Sequence, residues 1–382
     1  VIFLNYHSIT FSPSHIITLS LYHLFTFSPS HLLIFSPSHI FPSTTKIVSI
    51  SSYQIIPNFF FYIAATNKVM IEKILIIGAG GQIGTELTEA LREIHGEANV
   101  IASDIRQSID VPNYVKIDVT NKEELFNCVR ERGITQIYHL AAILSARGEQ
   151  NPLWAWDINM TGLINVLEAG RELQLNKIFV PSTIAVFGIE YDRENTGQFS
   201  VLIPETVYGI SKVTGENWCN YYFKKYGLDV RSVRYPGIIG YKSMPGGGTT
   251  DYAVDIYHQA VQGFNYVSFL DKGTFLPMMY MEDALRATIE LMEAPKEKVK
   301  IRTSYNIAGC SFAPEEVAAA IKEYFPHFET SYEPDFRQAI ANLWPKQIDD
   351  TQAREDWGWK PKYDLATMTR DMIEHLSEKY QH

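Results

Sequence analysis

The chain has 382 residues, with 43 acidic against 33 basic side chains and a formal net charge of -10. That balance argues against a general nucleic-acid or anionic-membrane surface, and 13% aromatic with 20% charged residues reads as globular rather than disordered. Three cysteines, Cys128, Cys219 and Cys310, stand far apart with no CxxC or Cys/His spacing, which predicts reduced thiols in a reducing compartment and no metal site.

Residues 1–71 are written in a different composition. They contain no Asp, Glu, Gly or Arg, and their only charges are Lys46 and Lys68. The pentapeptide FSPSH recurs at Phe11, Phe27 and Phe35 and interrupts every apolar run before it reaches the ~18 residues of a membrane span. The broken runs do not match a secretory signal, and the absence of Arg does not match a mitochondrial presequence. Residues 1–69 are therefore expected to be upstream sequence translated in frame, with the natural start at Met70 and no packed structure. A degenerate targeting segment and a folded element are the alternatives. The expected compartment is the cytoplasm, or the mitochondrion if the source is eukaryotic and the extension is genuine.

From Met70 the texture changes. Lys73–Ile77 is a continuous apolar run, as a strand buried on both faces requires. Gly78–Gly84 forms a glycine loop, and 85–94 reads as an amphipathic helix with Ile83, Leu87, Leu91 and Ile94 on one face. Strands follow at 99–103 and 114–117, a helix at 122–132, a strand at 136–140, a helix at 152–173 and a strand at 177–181. A helix over 204–226 and a sixth strand over 229–234 continue the alternation. The fold class this predicts is α/β, a doubly wound parallel sheet of the Rossmann type. Beyond about Pro236 the alternation loosens, and Gly246–Gly248 marks a flexible loop. The chain is divided accordingly into the extension (1–69), a dinucleotide-binding part (70–240) and a smaller substrate-side lobe (241–382).

Gly78, Gly81 and Gly84 have GxxGxxG spacing between a strand and a helix. Gly78 permits the tight turn, Gly81 lets backbone approach a pyrophosphate, and Gly84 lets the helix pack close. The helix N-terminus then turns free N–H groups toward the phosphates. Asp104 lies twenty residues beyond Gly84, where a carboxylate accepts both ribose hydroxyls of NAD and repels the 2′-phosphate of NADP. Arg106, two residues on, offers a cation that such a phosphate could meet. Asp118, after the third strand, reads equally as an adenine contact or as a plain turn residue.

Tyr208 and Lys212 are four residues apart in YGISK and share one helix face. A tyrosine with a pKa of ~10 is a poor base, and a neighbouring lysine cation favours its phenolate. The pair is suited to take a proton from an alcohol while hydride leaves the carbon. Thr183 follows the fifth strand at the carboxyl end of the sheet, where ligands of such folds bind.

The segments GAGGQIG, HLAA, PSTIAVFG, YGISK and RYPGIIG resemble the extended short-chain dehydrogenase/reductase superfamily. AAILSARGEQNP, PGGGTTDYAVDIY, FLPMMYMEDALRAT, SYNIAG and WPKQIDD narrow the resemblance to its L-threonine 3-dehydrogenases, over essentially all of 70–376. The resemblance implies oxidation of L-threonine at its β-hydroxyl to 2-amino-3-oxobutyrate, with NAD as acceptor, and a homodimer packed through the long helices. It implies Tyr208 as acid/base, Lys212 as its partner and Thr183 on the hydroxyl. Ser145 would hold the amino-acid head group, Thr249 the carboxylate, and Trp344 would close over the substrate. Beside the glycines and Asp104, the expected cofactor contacts are Gln82, Ile83, Ile105, Arg106, Asp118, Val119, Leu140, Ala141, Ala142, Asn159, Tyr208, Lys212 (on the nicotinamide ribose hydroxyls), Tyr235 and Ile238. Taken alone, Trp344 reads as core, the GGGTT stretch as a loop, and Ser145 carries no signal. The competing readings are an NAD-dependent nucleotide-sugar epimerase or dehydratase on the same fold, and a non-catalytic NAD-binding regulator.

Overall fold

A computed structural model describes residues 72–107, 111–188, 192–244, 246 and 248–380, apart from the side chain of Ala146. The expectation for residues 1–69 lies outside these, as does Gly247 of the expected flexible loop.

Strand β1 (Ile74–Ile77) is buried at all four positions, which is why it is apolar without alternation. Helix α1 (Gln82–His95) buries Gly84, Leu87, Thr88 and Leu91. Ile94, expected on that face, is exposed in the final turn, so the buried stripe stops one turn early. Strand β2 (Val100–Asp104) starts one residue later than expected because Glu97–Asn99 forms a single 3-10 turn. Asn99 Nδ2 donates to the His95 carbonyl across it, closing the end of α1.

Strand β3 (Tyr114–Lys116), helix α2 (Lys122–Arg132), strand β4 (Gln136–His139), helix α3 (Ser145–Gln150), helix α4 (Pro152–Glu172) and strand β5 (Lys177–Phe179) follow. Strand β6 (Ser182–Thr183) leads to helix α5 (Val207–Tyr226). The latter begins at 207 rather than 204 because Thr206 is its cap: its hydroxyl accepts from the Gly209 N–H at 3.1 Å. That cap sets the rotational phase of Tyr208 and Lys212.

The expected sixth strand is two strands. β7 (Val230–Arg231) pairs with β5, while β8 (Val233–Tyr235) pairs with β6 and with β12 (Tyr305–Asn306). Arg231 anchors the parting point by donating to the carbonyls of Leu291, Met292 and Ala294. Leu291 and Met292 lie in the last turn of the helix Met281–Glu293, and Ala294 is its C-cap.

The main sheet has the order β3-β2-β1-β4-β5-β7, every pair parallel, as a doubly wound α/β fold requires. After strand β9 (Gly237–Ile239) come α6 (Tyr252–Val261), β10 (Tyr266–Ser268), β11 (Leu276–Tyr280), α7 (Met281–Glu293), β13 (Cys310–Phe312), α8 (Pro314–Lys322), β14 (Thr330–Tyr332), α9 (Phe336–Ala341), α10 (Thr351–Trp357) and α11 (Leu365–Tyr380). One sheet face packs Leu125, Val129, Leu163, Val166 and Tyr222 from α2, α4 and α5. The other packs Leu87 and Leu91 of α1 with Ala284, Ala287 and Leu291 of α7. A third core joins Ile184–Phe187 to α6, α8 and α11. Strand β9 pairs with β11, so hydrogen bonds cross position 240, where the two expected parts meet.

Candidate active site

The glycine loop turns directly out of β1. Gly78 has φ +89°, and a Cβ there would stand 2.7 Å from the Ala141 nitrogen. A Cβ on Gly84 would stand 2.1 Å from the Gly78 carbonyl oxygen, so only glycine lets α1 start this close to the strand. Gly81 is the N-cap of α1, with no side-chain cap and no acidic residue in the first turn. The first-turn N–H groups, Gln82 and Ile83 among them, thus keep their capacity for an anion. A Cβ at Gly81 would lie 3.3 Å from the Gly78 oxygen, a tight fit but not a collision. This uncapped cradle, with the Asp104 carboxylate at the end of β2, fits the diphosphate and ribose of an adenine dinucleotide.

Asp104 accepts from Gly80 N (3.1 Å), Arg106 N (3.2 Å), Arg106 Nε (3.0 Å) and Arg106 Nη2 (3.0 Å). Burial pushes its carboxyl up, but the hydrogen bonds and charge of Arg106 outweigh this and hold it below the usual range. Ile105 is exposed beside it. Asp118 Oδ1 accepts from the Thr120 N–H (2.9 Å) and hydroxyl (2.7 Å), the pattern of a turn residue. Val119 is buried against Gly162.

Tyr208, Lys212 and Thr183 come together. The Tyr208 phenol and the Thr183 hydroxyl stand close enough to act on one another, and Thr183 Oγ1 also accepts from the Ala185 N–H at 3.2 Å. Lys212 Nζ lies 5.6 Å from the Tyr208 ring centroid and donates to the Pro181 carbonyl at 2.8 Å. The lowered tyrosine pKa expected from the lysine cation is not what governs here. Burial pushes the phenol up to about 12, against the opposing pull of the neighbouring Thr183 hydroxyl. Burial likewise pulls the Lys212 ammonium down to about 8, against the charges of Cys219 and Glu216. A dry pocket disfavours both charged forms.

Behind Lys212 is a cavity of about 20 Å³, bordered by His139, Asn159, Ser182, Ser211 and Glu216, with room for one water molecule. Burial and the Lys212 charge push the His139 imidazole down to about 3, and its Nδ1 has no hydrogen-bond partner. Sequence reasoning passed over the support of this site. Glu216 on α5 accepts from the Ser182 hydroxyl (2.6 Å), next to Thr183, and is gripped by Arg234.

The remaining expected residues divide. Leu140 and Ile238 pack against the α1/α7 core, and Ala141 and Ala142 border the Lys212 cavity. Asn159 spends its groups on a loop: Oδ1 accepts from Ile143 N (2.7 Å), and Nδ2 donates to Ile143 O (3.1 Å) and Ser211 Oγ (3.3 Å). It steadies the segment leading to Ser145, which is buried as the first residue of α3. Tyr235 was expected to line the cofactor site, but its hydroxyl is shared with Thr288 and its ring is in the core against Phe179. Its side chain is thus committed to the core that also holds Ala284, Ala287 and Leu291 of α7. Thr249 is buried, and Thr250 packs where a Cβ on Gly237 would be. Trp344 is buried in the third core, its carbonyl accepting from Arg193 Nε at 2.8 Å, as the core reading has it. The described residues contain no group of three or more His, Cys, Asp or Glu that could hold a metal, and no helix long and apolar enough to cross a membrane.

Residues 74–308 match the family model for the NAD dependent epimerase/dehydratase family. An uncharacterized epimerase/dehydratase of Staphylococcus aureus is 50% identical over 315 residues, 81% of this chain and 98% of that protein. Among solved structures, an L-threonine dehydrogenase from Cupriavidus necator in its holo form is 55% identical, with TM-score 0.79, covering 80% of this chain and 99% of that one. The L-threonine dehydrogenase from Clostridium difficile is 48% identical, with TM-score 0.79, covering 81% and 98%.

Proposed function

The chain belongs to the NAD dependent epimerase/dehydratase family, and from that premise we propose that it oxidises L-threonine at the β-hydroxyl to 2-amino-3-oxobutyrate with NAD. The observation that carries this reading is the meeting of Tyr208 with Thr183 and Lys212, beside a cradle that fits a dinucleotide. The kinship with L-threonine dehydrogenases near half identity supports the choice of substrate.

When bound, the nicotinamide supplies the acceptor for hydride from the carbinol carbon. Thr183 holds the substrate hydroxyl against Tyr208, whose phenolate takes the proton. Because burial resists that phenolate, Lys212 must be charged beside it; its carbonyl partner at Pro181 fixes where the cation stands. Ser145 and Thr249 receive the amino and carboxylate ends, and Trp344 covers the substrate after the segment carrying it shifts out of the core. We also propose a homodimer through α4 and α5, whose Leu153, Trp156, Ile210, Trp218 and Tyr221 are exposed apolar residues.

The test is NADH formation by the purified chain with L-threonine, beside parallel assays with UDP-glucose and UDP-galactose. Threonine-dependent reduction supports the proposal. Interconversion of the sugars without threonine activity would establish the epimerase reading instead, and binding of NAD without either reaction would favour the regulator.

A further inference from the structure

The surroundings of Asp104 hold a feature that the cofactor reading leaves unused. A carboxylate has about four lone-pair positions, and those of Asp104 all have a donor. Two are backbone N–H groups, from Gly80 and Arg106. The other two are Nε and Nη2 of the Arg106 guanidinium, both at 3.0 Å. A ribose diol also brings two donors to this carboxylate. The guanidinium and the diol therefore make claims on the same two positions.

The backbone donors are held in place. The Tyr114 hydroxyl donates to the carbonyls of both Asp104 (3.0 Å) and Arg106 (2.5 Å), and Ile117 N also donates to the Asp104 carbonyl (3.0 Å). The Arg106 side chain is the one partner free to leave: it is 54% exposed, whereas the Asp104 side chain is 10% exposed. It lies over the glycine loop, so closely that a Cβ on Gly80 would be 1.9 Å from Nη2. With glycine at position 80, the guanidinium can lie in this position without displacement. A guanidinium turned away from Asp104 stays tethered beside the ribose, where a 2′-phosphate would be its natural partner.

We propose that Arg106 is a specificity-determining residue that competes with the cofactor ribose for Asp104 and, once displaced, serves as the anchor for a 2′-phosphate. Arg106 thus weakens NAD binding slightly and narrows the preference for NAD over NADP that Asp104 alone would impose. The inference rests on the adenine-dinucleotide reading of the cradle.

Calorimetric titration of the full chain with NAD and with NADP tests it, with no turnover needed. Arg106→Met keeps the apolar stem and removes every donor. An exposed ion pair is weak, so NAD should bind about two- to fivefold more tightly to Arg106→Met, while the NADP-to-NAD ratio of dissociation constants widens about tenfold. Arg106→Lys keeps the charge without the two-point grip, and should retain most of the wild-type NADP binding. NAD binding that is unchanged or weaker in Arg106→Met, or a ratio that does not widen, overturns the inference and leaves the cofactor reading standing. Wild-type protein that binds neither nucleotide overturns both.

Discussion

Arg234 on β8 grips Glu216 on α5 at two points, Nε to Oε1 at 2.9 Å and Nη2 to Oε2 at 2.8 Å, with both side chains buried. The same guanidinium donates to the Gln198 carbonyl and Asn306 Oδ1 (3.0 Å each), and the same carboxylate accepts from Ser182. One ion pair therefore ties the helix of Tyr208 and Lys212 to the strand of Thr183 and to β12.

Breaking that pair from one side leaves a buried charge without its partner, at a cost of about 3–5 kcal/mol. Arg234→Met should lower the melting temperature by roughly 10 °C in a thermal melt. The double variant Arg234→Met/Glu216→Leu should lose less than the sum of the two single variants, because it strands no charge. Additive losses would mean that the two residues act separately.

Gly84→Ala puts a methyl group 2.1 Å from the Gly78 oxygen, so α1 or the loop must move. NAD affinity should fall at least about tenfold, since the diphosphate cradle is formed by those same atoms. Gly197→Ala is the control, because its Cβ would meet nothing nearer than Ser200 Oγ at 3.9 Å. Titration of both variants with NAD distinguishes a local cradle effect from a general sensitivity to added methyl groups.

Tyr208→Phe removes the phenol and leaves Lys212, Thr183 and the cradle in place. Turnover with threonine should drop by about 10²–10⁴ while NAD affinity stays within about twofold. Retained turnover would remove Tyr208 from the acid/base role.

Glu86 on α1 is a buried carboxylate whose Oε1 has no hydrogen-bond partner and whose Oε2 is 3.9 Å from Lys242 Nζ. Burial pushes its pKa up to about 7, against the Lys242 charge. The folded chain therefore holds this proton more tightly than the unfolded chain does. The stability that follows is fully present below about pH 4.5 and is lost as pH rises through about 7. Glu86→Gln, which cannot ionise, should be more stable than wild type by about 3 kcal/mol at pH 8 and no more stable at pH 4. Chemical denaturation at the two pH values measures this; an equal difference at both would show that ionisation is not the cause.

The elements that carry the fold were readable because local pattern and tertiary role agree in them. β1 is apolar throughout because both its faces are covered, and the glycine loop is marked by residues whose lack of a side chain is needed at Gly78 and Gly84. Tyr208, Lys212 and Thr183 were readable as a set, through spacing and position on the sheet. What stayed hidden depends on long-range pairing. Glu216, Ser182 and Arg234 meet across 18 to 34 residues of chain, and no periodicity announces a buried charge. The division of the sixth strand was missed because β7 and β8 are equally buried; only their partners differ. Arg106 was in plain view two residues after Asp104, but its two-point grip on that carboxylate depends on where the side chain lies.

The most direct measurement of the central claim follows the hydrogen itself, using L-threonine deuterated at C3, NAD and the purified chain. The account predicts NADH carrying the deuterium and a slower rate than with unlabelled threonine, both abolished in Tyr208→Phe. NADH without label, or no reduction with threonine while UDP-sugars are interconverted, would contradict it.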